Sequence, residues 1–484
     1  MSEIKVNKIS PRTACGTVTL GDSGDTFTIP AGATITNSGT AAGFGATGAV
    51  SWDTTAKTTG FTAVSGVGYF VNTTAGIITV TLPLSPAAGA VVGVSDYAGT
   101  SDTYAITIGR NGSNINGAAA DLNIQIENSA VTLVYVDGTQ GWKATDTSSL
   151  GDIELQPAYI TATGGTVTCS GNYRIHKFTG PGTFCVSCAG NPLGSTSVDY
   201  LVIAGGGGGG VCNGGGGGGG AGGLRASSGA ASGCYSAGPA PLTGPVSALT
   251  VTATGFPITI GGGGAGIPAS STSNGNAGAN SSFSTVTSAG GGYGAGSAGG
   301  GTGGTGGAGG SGGGSSKYNV PTGGAGNTPP VSPPQGNPGG AVSPGAPGGN
   351  DGAGGGGAGD QGETIPTENT RGGSGGVGIT SSITGSAVDY AGGGGGNSET
   401  GLASGGTGGF HSGGATPSPL VSPSPQTPGF GGGNGSSGGG ACQTAGSGSV
   451  NTGGGAGGVD APNPSVTSGT GGSGIVIIRY RFQN

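Results

Sequence analysis

The sequence predicts an all-β protein assembled from two unlike materials, and three observations carry that reading. Short segments rich in Val, Ile, Thr and Tyr recur through the chain with period-two alternation, and no 3.6-residue apolar period suggests a helix. Of 484 residues, 125 are Gly and 28 are Pro, and each Gly costs a helix interior about 0.8–1.0 kcal/mol relative to Ala. Glycine is also unevenly spread, with 28 in residues 1–200 and 97 in the 284 residues that follow.

Residues 1–48 read as a small β segment. Ile4-Lys5-Val6-Asn7-Lys8-Ile9 alternates apolar and polar, Thr17-Val18-Thr19-Leu20 repeats the pattern, and Thr26-Phe27-Thr28-Ile29-Pro30 follows a turn at Asp22-Ser23-Gly24-Asp25. So short a segment exposes strand edges and buries little alone, so pairing with identical chains is expected. Residues 49–148 carry richer strands, among them Gly68-Tyr69-Phe70-Val71, Ala90-Val91-Val92-Gly93-Val94, Tyr104-Ala105-Ile106-Thr107-Ile108 and Val131-Thr132-Leu133-Val134-Tyr135-Val136, with turn signals at Asn111-Gly112 and Asp137-Gly138. Spacing of roughly ten residues predicts a sandwich or related all-β domain. Trp52 and Trp142 flank it and are expected to close the ends of its core.

Residues 149–204 form a bridge of strands that ends in Val198-Asp199-Tyr200-Leu201-Val202-Ile203-Ala204 and runs straight into Gly205–Gly210. The same junction recurs at Pro257-Ile258-Thr259-Ile260 before Gly261–Gly264, and at Ser386–Tyr390 before Gly392–Gly396. Ile475-Val476-Ile477-Ile478-Arg479-Tyr480-Arg481-Phe482 supplies a final strand. Residues 205–484 thus form one glycine-rich domain punctuated by short strands.

A glycine run has no side chain with which to build a sheet face. Collagen requires Gly at every third position with Pro between, whereas Gly300–Gly313 places Gly at two positions of three and lacks Pro. A helix of three residues per turn sets Thr302, Thr305, Ala308 and Ser311 on one edge and leaves two edges bare, so that neighbouring backbones can approach and exchange hydrogen bonds. At about 3.1 Å per residue, those fourteen residues as one rod would reach roughly 43 Å. The competing reading is a flexible linker, but strands placed at regular joints have no use in one. A packed bundle of threefold helices leaves its chain reversals as end loops, where non-glycine residues collect.

Composition excludes several function classes. Charged residues are 7% of the chain and the net charge is -7, so no basic footprint serves nucleic acid or anionic lipid. No run approaches the ~18 apolar residues of a membrane span, and no signal-peptide pattern opens the sequence. The expectation is therefore cytosolic folding, with any extracellular role reached by lysis or incorporation into a particle. Seven cysteines (Cys15, Cys169, Cys185, Cys188, Cys212, Cys234 and Cys442) form an odd set, and Cys185-x-x-Cys188 lacks a second pair at zinc-site spacing. The expectation is small buried hydrophobes, with no metal and no cofactor.

Catalysis finds little support. His176 and His411 lie near no nucleophile motif, and Asp146, Asp152 and Glu154 read as solvated carboxylates rather than a glycosidase pair. Loop residues are more informative. Lys317-Tyr318-Asn319, Phe410-His411 and Phe430 stand on glycine loops with little local core, which leaves two readings for the aromatics: exposed binding contacts or plugs of small satellite cores.

The chain also bears a family resemblance. Met1-Ser2-Glu3-Ile4-Lys5-Val6-Asn7-Lys8-Ile9-Ser10 with Thr26-Phe27-Thr28-Ile29-Pro30-Ala31-Gly32-Ala33 resembles the start of tail fibre proteins of marine tailed phages, especially those infecting cyanobacteria. The second half, from Val198–Gly205 to Gly474–Tyr480, is similar to glycine-rich receptor-binding domains, and resembles the tip adhesins of T-even-like phage long fibres, in which polyglycine-II helices carry recognition loops. The resemblance implies a structural virion protein without enzymatic activity. Residues 1–48 would attach to a tail adaptor, nozzle or baseplate protein, with Ile4, Val6 and Ile9 as contacts. Residues 49–148 would form a homotrimeric β domain. Lys317, Tyr318, Asn319, Phe410, His411 and Phe430 would contact a host polysaccharide or outer-membrane protein. A polysaccharide-cleaving tailspike and a glycine-rich coat or ice-binding protein remain as alternatives.

Overall fold

The computed structural model describes residues 50–146, 153–155, 157–233, 235–236, 246–298, 302–317, 322–343, 351–365, 371–398, 408, 432–436, 445–460 and 466–484. The chain is all-β, and helical structure among the described residues amounts to a 3-10 turn at Ala269–Ser271.

The first unit opens with β1 (Ser51–Lys57), β2 (Phe61–Thr62), β3 (Val67–Val71), β4 (Ile78–Thr81), β5 (Val91–Asp96) and β6 (Ile106–Gly109). These six alternate between two sheets, so that β1, β3 and β5 run parallel in one while β2, β4 and β6 run parallel in the other. The chain therefore winds as a flattened coil rather than as hairpins. Antiparallel strands finish both sheets: β7 (Leu122–Ile124) beside β6, then β8 (Ala130–Asp137) and β9 (Gly141–Asp146) beside β5. A further strand, β10 (Ile153–Leu155), adds to β7. The Asp137-Gly138 signal is met, since the Asp137 carboxylate accepts hydrogen bonds from the amides of Thr139 and Gln140 at 2.8 and 2.7 Å and fixes the β8–β9 turn.

Inward residues of both sheets, including Val71, Val80, Val94, Ile108 and Leu133, form one core closed by Trp142, which is fully buried. Trp52 departs from the expectation. It lies on the outer face, 41% exposed, its ring 5.0 Å from that of Phe70. The reason is its floor: a Cβ on Gly68 would stand 2.7 Å from the indole, so two strands without side chains at Gly68 and Gly93 let the ring lie flat on the sheet.

The second unit begins with β11 (Ile160–Thr163), β12 (Thr166–Ser170), β13 (Tyr173–Phe178), β14 (Gly182–Ala189) and β15 (Ser197–Ile203). One sheet is built from β11, β14 and the strands Gly255–Thr259, Ser281–Phe283 and Val286–Ser288. The other runs β12, β13, the closing strand Ile475–Arg481, β15 and Leu224–Ala226. The strands that open and close the glycine-rich part are thus neighbours, with Asp199 opposite Arg479 and Ile203 opposite Ile475.

These two strands are buried on both faces, which explains their uninterrupted apolar sequence. Val198, Tyr200, Val202, Val476, Ile478 and Tyr480 enter the core between the sheets. Leu201, Ile203, Ile475 and Ile477 face the other way, against Ala221, Ile379 and Tyr390 of the glycine-rich part.

The glycine runs form a lattice of threefold extended helices. In 311–317 the amides of Ser311 and Gly314 donate to Ala221 and Gly218, those of Gly312 and Ser315 to Asn337 and Gly340, and those of Gly313 and Ser316 to Gly307 and Gly304. The carbonyls of the same helix accept from Gly292 and Ala295, from Gly356 and Ala353, and from Gly324. Each successive residue addresses a different neighbour and every third returns to the same one, so six chains surround it. Helices 205–210 and 216–223 are surrounded in the same way. Such a helix has no internal hydrogen bonds, and its neighbours supply the partners that its buried amides and carbonyls require.

The constraint that selects glycine is room. A Cβ on Gly207 would stand 2.0 Å from the carbonyl oxygen of Gly292, and one on Gly219 2.2 Å from that of Gly207. Where the lattice carries Ala, as at Ala221 and Ala353, the methyl group instead joins a small apolar cluster. The single rod expected for 300–313 is not formed. The chain bends at Gly309–Ser311 and folds back, so that Gly313 donates to Gly307 and Ser316 to Gly304. Thr305 and Ala308 are exposed on the outer arm, while Ser311 is buried on the inner one.

Two glycines differing only in this room provide a test. Gly207→Ala should destabilise the protein by about 3 kcal/mol or abolish folding, since overpacking against rigid backbone has no cheap relief. Gly262→Ala, where nothing lies within 4 Å of the added methyl group, should stay within about 1 kcal/mol of wild type. Thermal unfolding followed by circular dichroism compares them.

Candidate functional site

The lattice has two unlike ends. One abuts the sandwich through Ile203, Leu224 and Ile475. At the other, the pairs Val211–Val459 and Cys212–Asp460 form a two-stranded ribbon over a small apolar cluster of Val211, Ala269, Val459 and Val466. A second plug there contains Val342, Ala353 and Ile365.

Polar contacts gather the remaining chain exits at this same end. The Lys317 amide donates to Gly215, which precedes the helix returning from the ribbon. Asn397 donates to Gly216, and beside it the Ser398 hydroxyl donates to Asp351 at 2.7 Å. Val342 donates to the Ser315 hydroxyl at 2.9 Å and forms a bridge with Ile365. Lys317, Val342, Asp351, Ile365, Asn397, Ser398 and Asp460 therefore lie together at one face of the lattice. That face is the candidate site.

Of the sequence-predicted contacts, Lys317 is described. Its side chain is 7% exposed and its ammonium group donates to the carbonyl of Asn213, so it braces the lattice end instead of projecting from a loop. Tyr318 and Asn319 follow it immediately and lie outside the described residues, as do Phe410, His411 and Phe430, and Ile4, Val6 and Ile9. Gly408 and Gly432, which bracket the segment containing Phe410, His411 and Phe430, sit side by side, a Cβ on Gly408 reaching 2.2 Å from the Gly432 carbonyl oxygen.

A comparison with protein families now bears on this architecture: the model of the glycine-rich domain matches residues 179–481. The chain belongs to the glycine-rich domain family. No curated protein matches it. The glycine-rich domain so defined includes β14, β15 and the whole of the closing strand, so the family's extent takes in much of the sandwich as well as the lattice.

The polar groups that fasten the glycine-rich domain were not singled out from sequence. Asp199 is fully buried, and its carboxylate accepts from the Ser227 hydroxyl at 2.7 Å and from the amide and hydroxyl of Ser232 at 2.7 and 2.6 Å. Across the ladder, the Arg479 guanidinium lies 4.5 Å from the ring centre of Tyr173 and 5.1 Å from that of Tyr235, and donates to the Ile383 carbonyl. Asn327 and Gln335 pin the proline-rich loop. Asn327 Oδ1 accepts from the amides of Val331 and Gln335, and Gln335 Nε2 donates to the Pro329 carbonyl. The signal available was their position as lone amides flanking prolines.

The cysteine expectation fails in part. Cys212 is buried, but Cys169, Cys185 and Cys188 are exposed. A register shift between Thr161 and Ala162 in the β11–β14 pairing leaves an extra residue near Ser187, which returns both Cys185 and Cys188 to the solvent face. Among the described residues no three His, Cys, Asp or Glu side chains gather as for a metal, and no helix is long and apolar enough to cross a membrane.

His176 serves packing. It is fully buried, Nδ1 donates to the Gly164 carbonyl at 2.7 Å, and Nε2 accepts from the Tyr480 hydroxyl at 3.0 Å. Gly164 can only accept, which places the proton on Nδ1. Burial holds the ring's pKa below its ordinary 6.5, with the Gly164 carbonyl opposing that shift and the Arg174 charge adding to it.

The unfolded chain then binds more protons than the folded one once pH drops below 6.5, so stability falls as pH falls through that value. Melting temperatures measured from pH 8 downward should decline below ~6.5 in wild type. His176→Gln should remove that step, leaving the loss that begins in the carboxylate range.

Proposed function

We propose that this protein is a tail fibre of a marine tailed phage: a structural virion protein, not an enzyme, that attaches to the tail by residues 1–48 and binds a host-surface receptor through the loop-bearing end of its glycine-rich domain. The observation that supports this reading most is the lattice itself. Six-neighbour packing leaves room for little beyond glycine, alanine and serine inside, so larger recognition side chains must come from residues outside the packed helices, on a closely packed framework. Fixed scaffold with exchangeable loops is what host recognition demands. Residues 49–148 would form a homotrimer, and the resemblance of residues 1–10 and 26–33 to tail fibre proteins points to a tail adaptor, nozzle or baseplate partner. Release by lysis accounts for extracellular action.

Labelled full-length protein should bind host cells, and Tyr318→Ala combined with Phe410→Ala should lower that binding by about tenfold or more with melting unchanged. Release of reducing ends from host polysaccharide would overturn the reading in favour of a depolymerase. Sedimentation should give a mass of about three chains, the value for a closed homotrimer, and a mass of one or two chains would overturn that part of the reading.

A further inference from the structure

A cavity lies at the other end of the lattice, where the sandwich meets it. Leu224–Ala226 is the edge strand of one sheet and Val286–Ser288 the edge strand of the other. Leu224 and Ala226 turn toward the lattice and are buried. Arg225, opposite Val202 in the ladder, is therefore directed to the inner side of the sandwich, where its neighbours along the sheet are apolar. A cavity of about 230 Å³ opens there, between Arg225, Thr285 and Thr287, and the Asn327–Gln335 loop closes it with Pro329 and Val331.

Arg225 has no hydrogen bond or ion pair to another described residue. In a chain with 20 acidic and 13 basic residues, a half-buried guanidinium with no carboxylate beside it among the described residues can take one from a ligand. The walls are fixed. Gln335 is 1% exposed, its Oε1 accepting from the Ala289 amide at 2.8 Å and its Nε2 donating to Pro329. Asn280 accepts from the Gly290 amide through Oδ1, which leaves its Nδ2 without a partner among the described residues.

We propose that this cavity binds a single carboxylate-bearing sugar residue, with the Arg225 guanidinium gripping the carboxylate. The guanidinium's planar fork matches a carboxylate in two parallel hydrogen bonds. The hydroxyl groups of Thr285 and Thr287 and the free Asn280 amide face ring hydroxyls, and Pro329 with Val331 offers an apolar wall for the C–H face of the ring. The volume lies below the ~300–1,000 Å³ of drug-sized sites, which suits one residue. This site lies at the opposite end of the lattice from the Val211–Val459 ribbon and stands or falls independently of the receptor reading.

Isothermal titration of the full-length protein with D-glucuronate and D-galacturonate tests it, with D-glucose and acetate as comparators. A saturable signal is expected with at least one uronate, and far weaker signals with glucose and with acetate. Arg225→Gln should weaken uronate binding by about tenfold or more, and Arg225→Lys, which keeps the charge but loses the fork, should fall between them. Thr287→Val, at an exposed position, should weaken binding several-fold with melting unchanged, which guards against misfolding of the Arg225 variants. No saturable uronate binding by wild type would overturn the proposal. So would equal affinity for acetate, which indicates a simple anion hole, or undiminished binding by both Arg225→Gln and Thr287→Val.

Discussion

Everything in the carboxy-terminal region depends on one close approach: backbone set against backbone with nothing between. A carbonyl oxygen occupies the space where a β-carbon would stand, about 2 Å from the ideal position at Gly207 and Gly219. That contact lets each threefold helix exchange hydrogen bonds with six neighbours and satisfies amides that the helix cannot satisfy itself. Glycine is selected for volume here, since Gly205–Gly210 carry no positive φ. At Gly164, by contrast, φ is 114° and backbone lies close as well, so both torsion and room require it.

The lattice has few side chains with which to bury apolar surface, and the flanking sheet supplies that surface. Its central pair, β15 and the closing strand, presents one apolar set to the sandwich core and another to the glycine helices. Asp199 and Arg479 sit opposite each other within this pair. Asp199 collects three donors from the Ser227–Ser232 segment, and Arg479 reaches Ile383 and the rings of Tyr173 and Tyr235. Two buried polar groups thereby tie separate loops to one ladder, in a setting where each unsatisfied group costs about 1–3 kcal/mol.

Much of this was legible in the sequence. The junction of a short strand with a glycine run at Ile203–Gly205 and Thr259–Gly261 appears where the residue pattern placed it, and the period-three spacing named the helix type. What periodicity cannot convey is which chains are neighbours. Bare glycines carry no face, so nothing in Gly300–Gly313 marks the bend at Gly309–Ser311 that turns one rod into two arms. The parallel winding of the first unit was hidden for a related reason, because ten-residue strand spacing suits a hairpin and a sheet-to-sheet coil equally. Trp52 misled because an indole is ordinarily a core residue, and its outer perch exists only through the paired gaps at Gly68 and Gly93. Of the site, Tyr318, Asn319, Phe410, His411 and Phe430 lie outside the described residues, and the inward turn of Lys317 and the half-buried Arg225 depended on register.

A scaffold cemented by peptide groups has an unusual thermal character. The heat-capacity change of unfolding grows with apolar surface and shrinks with polar surface, and the lattice exposes mostly the latter when it opens. Its free-energy curve should be shallow, without the steep weakening on cooling that apolar cores undergo. The lattice, whose interior is mostly main chain, should therefore hold its shape across cold and warm water alike.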